Sequence, residues 1–223
     1  MGIDRMHEFF TRFGLGKKTG IDLPGEVSGL VPSRTWKRAA KNQPWYPGET
    51  LIAGIGQGYM LATPLQLAQL AATLSRRGAQ VRPHLWRDAG PEPLEPLPLR
   101  REEYWDAALK GMENVVNAKY GTAKSIKDAP YRIAGKTGTA QVFTIKQHES
   151  YDAKKLDRRL HDHAVFIGYA PAEAPRIAVA AFVEHGGSGS GVAAPIVRKV
   201  MDGWLLEDYV QQAAVVQEQA GSE

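Results

Sequence analysis

Between Ile133 and Gln141 the chain reads Ile-Ala-Gly-Lys-Thr-Gly-Thr-Ala-Gln, so a cation, two hydroxyls and two glycines fall close together. An ammonium beside two hydroxyl donors suits an anionic ligand. The apolar residues on either side (Ile133 and Ala134 before, Val142 and Phe143 after) predict a strand. Glycine weakens a strand unless another chain or a ligand must approach its backbone closely. Lys136, Thr137, Gly138 and Thr139 are therefore the residues whose types and spacing could do chemistry. The plainer reading is a solvated edge strand with a chance Lys-Thr-Gly. Such a triplet arises by chance in roughly one chain in twenty of this length, so alone it decides little.

The elements that would position this strand can be read on either side. Met6, Phe9, Phe10 and Phe13 recur at helical spacing, with Asp4 the expected N-cap and Gly14 and Gly16 the stop. Residues 17–50, rich in Gly, Pro and polar groups, predict an ordered but irregular excursion, pinned to the body by Trp36, Trp45 and Tyr46. Gly54, Gly56 and Gly58 are not spaced as a dinucleotide loop. Thr63-Pro64-Leu65-Gln66 is a capping box with proline at the first helical position. The helix it opens is apolar nearly all round up to Arg76-Arg77-Gly78, which predicts burial. Gln80 to Trp86 reads as a strand, and Pro91, Pro93, Pro96 and Pro98 as an exposed connector. A helix opens at Glu102-Glu103, runs through Ala108, Met112, Val115 and Val116, and ends near Asn117–Gly121.

Beyond the Lys-Thr-Gly strand, residues 144–163 are strongly charged and contain His148, His161, Asp162 and His163. A zinc site needs three or four ligands fixed in place, and a solvated loop is the better reading; no metal is expected. Ala164–Tyr169 and Arg176–Val183 predict an antiparallel pair turned at Pro171–Pro175. Gly186 to Gly191 reads as a flexible link, without the Gly-Lys-Ser/Thr ending of a phosphate loop. The last helix spans about Ala194 to Leu206 with Ile196, Val197, Val200, Met201 and Trp204 on one face. The expected division is a folded unit over 1–206 and a frayed tail over 207–223. Helices around consecutive antiparallel strands make the fold class α+β.

Composition bounds the function classes. The 223 residues carry no cysteine, which removes disulfides and thiolate chemistry. A net charge of +4 comes from scattered Lys and Arg, so nucleic-acid binding is not expected. Residues 1–20 lack a signal-peptide pattern. The longest apolar run, Ile177–Val183, is far short of the ~20 residues that span a bilayer, so no anchor is expected in these residues.

Taken together, four stretches identify a family. Gly54-Ile55-Gly56-Gln57-Gly58-Tyr59, Ala62-Thr63-Pro64-Leu65-Gln66-Leu67-Ala68, Gly135-Lys136-Thr137-Gly138-Thr139-Ala140-Gln141 and His163–Pro171 occur in this order. They resemble the transpeptidase domain of class B penicillin-binding proteins. Met1-Gly2-Ile3-Asp4 through Gly20-Ile21-Asp22-Leu23-Pro24, and Pro44–Thr50, look most like its cell-elongation branch, penicillin-binding protein 2. The resemblance implies a peptidoglycan D,D-transpeptidase that acylates a serine with a D-alanyl-D-alanine stem peptide and passes the acyl group to an amine. It also implies that β-lactams trap the same serine.

That family works through Ser-x-x-Lys, Ser-x-Asn and Lys-Thr-Gly, and only the third is present. None of Ser28, Ser33, Ser75, Ser125, Ser150, Ser188, Ser190 and Ser222 has lysine three residues later or asparagine two later. The expectation is the back half of a transpeptidase domain, without its nucleophile and inactive alone. By resemblance, Lys136 supplies positive potential and a proton relay, Thr137 and Thr139 bind the ligand carboxylate, and the Thr139 N–H is an oxyanion donor. Gly138 would keep the strand flat for substrate. The resemblance further implies a five-stranded sheet of which the last three strands are here, and no cofactor. Its partners would be stem peptide, lipid-linked precursor, β-lactams and an elongation-machinery glycosyltransferase, at the periplasmic face of the inner membrane.

Overall fold

The apolar runs at the end of the chain form the sheet they predict. In the computed structural model, which describes residues 1–142 and 157–206, β3 (Ala134–Ala140), β4 (His163–Ala170) and β5 (Ile177–Val183) pair in that order, all antiparallel. The register sets Lys136 opposite Ile167, Thr137 opposite Phe166 and Thr139 opposite Ala164. Alternation then sorts the side chains onto two faces. Ala134, Tyr169 and Ala178 share one face with Leu74, Leu109 and Met112. Ile133, Ala164, Phe166 and Ala170 share the other with Ala194, Val197, Met201 and Leu205.

The first face is covered by α4 (Pro64–Ser75), which lies across β5 and β4, and α5 (Glu103–Asn117), which lies along β3. Both ends of α4 form as its sequence dictates. Thr63 Oγ1 accepts the Gln66 N–H at 3.1 Å and Gln66 Oε1 accepts the Thr63 N–H at 2.9 Å. At the far end Arg77 and Gly78 take positive φ (53° and 91°) and the Gly78 N–H donates to Thr73 O. Gln66 is itself buried, and its Nε2 donates to Lys17 O (2.6 Å) and Ser28 O (2.7 Å), so the cap of α4 also holds the loops before it. The expected full burial of α4 is corrected: most of its apolar residues are half-buried, because only one side of the helix meets the sheet.

The second face is covered by α6, described over 194–206. Its five expected face residues divide into two stripes. Val197 and Met201 are buried, whereas Ile196, Val200 and Trp204, spaced four apart, are exposed. The expected flexible glycine link is also corrected. Gly189–Ala193 is a π-helical turn that leads into α6, and Gly189 is buried. A Cβ on Gly189 would lie 2.5 Å from Gly138 O and 2.6 Å from Val165 O, so the turn sits directly on the β3 and β4 backbones.

The early part of the chain is more regular than its composition suggests. The stretch 17–50 holds α2 (Arg34–Lys41) and the start of α3 (Pro47–Gly54), short helices set by caps. Ser33 Oγ accepts the Trp36 N–H, and Glu49 accepts the Tyr46 N–H just ahead of Pro47. The aromatic pins hold as expected: Trp36 and Trp45 pack on Tyr59 with ring centres 5.1 and 6.4 Å away. Under them Lys37 is 1% exposed, its ammonium bonded to Glu49 and 4.5 Å from the Tyr46 ring centre. Burial pushes the Glu49 carboxyl up, but the Lys37 bond, the Tyr46 N–H and the Lys37 charge together hold it below its ordinary value.

Smaller corrections follow the same logic. α1 (Ile3–Arg12) is capped by Gly2; Asp4 sits in its first turn and instead accepts the Arg34 N–H at 3.0 Å. The strand expected over 80–86 is only β1 (Gln80–Arg82), and it pairs with β2 (Glu92–Leu94) inside the proline-rich connector. Proline is tolerated there because a two-stranded ribbon is all edge. The tail over 207–223 and the charged segment over 143–156, with His148, lie outside the described residues.

Candidate active site

The Lys-Thr-Gly strand is an outer strand of the sheet, and its open edge is where the candidate residues meet solvent. Ala134 and Gly135 are buried while Lys136 and Thr139 are exposed, so β3 runs from the core out to water. In an antiparallel ladder each residue turns both backbone groups either to its partner or away. Thr137 O accepts Lys136 Nζ at 2.6 Å, and Thr139 O accepts Gln57 Nε2 at 2.7 Å. The Gln141 N–H in turn donates to Gln57 Oε1 at 3.4 Å. Residues 137, 139 and 141 are therefore the outward set, and the Thr139 N–H points the same way as its carbonyl.

Side chains add to that edge from both faces. Lys136 borders an apolar hollow of about 440 Å³ lined by Leu74, Met112, Val115 and Ile167. Thr137 lies on the opposite face, its Oγ1 3.2 Å from Thr122 Oγ1 on the turn after α5. The two glycines have interior duties. A Cβ on Gly135 would collide with the Phe166 ring and lie 2.6 Å from Ile167 O; Gly138 lies beneath Gly189. The close approach that glycine in a strand signals is therefore made in part by the protein's own chain.

This arrangement can hold an anionic, extended ligand along β3. Lys136 offers a positive charge, Thr137 and Thr139 offer hydroxyls, and the Thr139 N–H is placed to meet developing negative charge on an oxygen. Among the described residues no serine hydroxyl is hydrogen-bonded to a lysine amine. Thr122 and Gln57 are two site residues that sequence reasoning missed. The only local trace of Gln57 was its pair of flanking glycines, and Gly56 and Gly58 do take positive φ (79° and 72°).

The histidines near the strand do not gather as ligands. His163 opens β4 opposite Ala140, and its Nδ1 accepts the His185 N–H at 2.9 Å. Asp162 is buried, not solvated; burial pushes its carboxyl up, with the His163 and His161 charges opposing. Among the described residues no group of three His, Cys, Asp or Glu could hold a metal, and no helix is long and apolar enough to cross a membrane.

Residues 1–202 match the penicillin binding protein transpeptidase domain. The chain belongs to this family. The peptidoglycan D,D-transpeptidase MrdA of Haemophilus influenzae is 45% identical over 215 residues, covering 92% of this chain and 33% of the relative. Pseudomonas aeruginosa PBP2, solved in complex with WCK 5153, is 50% identical with a TM-score of 0.80, covering 92% of this chain and 44% of that one. Helicobacter pylori PBP2, solved with MreC, is 34% identical with a TM-score of 0.79, covering 93% of this chain and 36% of that one. The match establishes the α+β penicillin-binding transpeptidase fold expected from the four motifs. This penicillin-binding transpeptidase chain spans about a third of the length of the curated relatives it matches.

Proposed function

We propose that the chain forms the Lys-Thr-Gly half of a peptidoglycan D,D-transpeptidase site serving cell elongation. The observation that carries this reading is the outward edge of β3, where Lys136 and Thr139 are exposed and the Thr137 and Thr139 backbones face away from β4. A stem peptide ending in D-alanyl-D-alanine lies along that edge with its carboxylate held by Thr137, Thr139 and the Lys136 charge. A serine hydroxyl attacks the penultimate carbonyl, the Thr139 N–H stabilises the oxyanion, and the C–N bond breaks to release D-alanine as its amine takes a proton. A second peptide's amine then displaces the serine, regenerating its hydroxyl and completing the cross-link. Since no Ser-x-x-Lys or Ser-x-Asn occurs in these 223 residues, the serine and its base belong to sequence outside them.

Similarity supports the wider setting. The Haemophilus relative's name carries the activity, and the Helicobacter relative was solved bound to MreC. The resemblance, rather than these names, suggests the rest of the setting: lipid-linked precursor and its stem peptides as substrate, β-lactams as inhibitors, and a glycosyltransferase partner at the periplasmic face. The missing motifs also favour a second reading, in which the chain is a truncated product with only a structural or partner-binding role.

Intact-mass measurement after incubation with benzylpenicillin decides between them. The chain alone should gain no adduct, because acylation needs an activated nucleophile. The protein carrying this chain together with a Ser-x-x-Lys half should gain one stoichiometrically. An adduct on the chain alone would show the nucleophile to be misassigned, and none on the completed protein would leave the second reading.

A further inference from the structure

Two outward carbonyls of β3, those of Thr137 and Thr139, are already occupied, each by a side chain of the same molecule. Lys136 Nζ takes Thr137 O, and Gln57 takes Thr139 O. Gln57 does more than donate. Its Oε1 also accepts the Gln141 N–H, so one side-chain amide spans the backbone groups on either side of Ala140. A primary amide carries the donor and the acceptor of a peptide unit. Gln57 therefore stands where a peptide bond of an added strand would stand.

The main chain beneath this amide is anchored. The Gln57 N–H donates to Ile52 O at 3.1 Å and the Gly56 N–H donates to Ala53 O at 3.0 Å, closing the end of α3. The side chain is only half-buried, and both of its contacts to β3 lie at the solvent edge. Rotation about the Gln57 side-chain bonds can thus uncover Thr139 O and the Gln141 N–H without moving α3 or β3.

We propose that Gln57 is a displaceable latch on the β3 edge, which an extended peptide or β-lactam side-chain amide must replace in order to pair with Thr139 O. The proposal rests on the transpeptidase reading above. It assigns Gln57 to selection among ligands: one whose own amide satisfies both Thr139 O and the Gln141 N–H displaces the latch, and one lacking such an amide binds against it.

The test is the acylation rate of the full-length protein that carries this chain, measured over a range of fluorescent penicillin concentrations, for the parent and for Gln57→Ala. Removing two competing solvent-edge hydrogen bonds should lower the half-saturating penicillin concentration about three- to tenfold. The limiting acylation rate should move by less than that factor, since Gln57 touches Thr139 O rather than the reacting atoms. Amide hydrogen exchange of Gln141 should quicken in Gln57→Ala without ligand, and Gln57→Leu, which keeps the bulk and the neutrality but neither hydrogen bond, should also bind penicillin more tightly than the parent. A limiting rate lowered more than about tenfold, or an unchanged or raised half-saturating concentration, in Gln57→Ala would overturn the latch and make Gln57 a brace. A parent that is never acylated would instead sink the transpeptidase reading, and the latch with it.

Discussion

The sheet has two outer strands in the described structure, and they are built oppositely. β3 shows water a lysine, two threonines and backbone groups capped by Lys136 and Gln57. β5 is Ile-Ala-Val-Ala-Ala-Phe-Val, with Phe182 exposed. A natural edge facing solvent is blunted by charge, glycine or covering side chains. β3 meets that requirement with groups that a ligand can displace. β5 carries none of those devices, as suits a strand whose neighbour is another strand. One edge is suited to a transient visitor, and the other to a permanent one.

The sharpest way to break this contrast is to remove the outward N–H of β3. In the completed protein Thr139→Pro should cost about 2.7–4 kcal/mol in the acylation barrier, the usual worth of one oxyanion donor. Because that N–H faces away from β4, the thermal midpoint should fall little. Next, Lys136→Ala should slow benzylpenicillin acylation about 10²-fold with unfolding unaltered; parental acylation by this variant would strip Lys136 of its role. Thr139→Val, which keeps the N–H, should lose about 1–3 kcal/mol, and identical kinetics for the valine and proline variants would refute the oxyanion assignment. The smallest effect belongs to the helix behind the sheet, whose outer stripe is Ile196, Val200 and Trp204. Trp204→Glu should change stability by no more than about 0.5 kcal/mol yet reduce ANS fluorescence of the isolated chain. Undiminished fluorescence would mean that the α6 stripe is not the exposed apolar surface.

What could be read in advance was whatever the chain states locally. Thr63-Pro64-Leu65-Gln66 announced a helix start, and the apolar runs at 164 and 177 announced paired strands; both formed as written. The grouping of a cation and hydroxyls at Lys136, Thr137 and Thr139 was legible from residue type alone. What escaped was non-local. Gln57 meets Thr139 across 82 residues, and nothing beside either position announces the other. α2, with Arg, Lys, Arg and Lys among its eight residues, has no apolar period to find; its helix exists because Ser33 caps it and Trp36 pins it. Gly189 looked like slack because glycine is the same letter in a linker and in a tight contact, and only the backbone of Gly138 decides which it is.

The sealed ammonium of Lys37 carries a consequence for bench chemistry. Amine-directed reagents attack the uncharged, accessible form of a lysine, and the rings of Tyr46, Trp45 and Tyr59 stand around this one while Glu49 holds it. Lys136, in contrast, stands in solvent. Along a labelling time course the exposed lysine therefore acquires its tag by simple collision, whereas Lys37 must wait for α2 and α3 to come apart. Its tagging rate is a clock for that local opening, ticking in the wild-type sequence with no dye or mutation added.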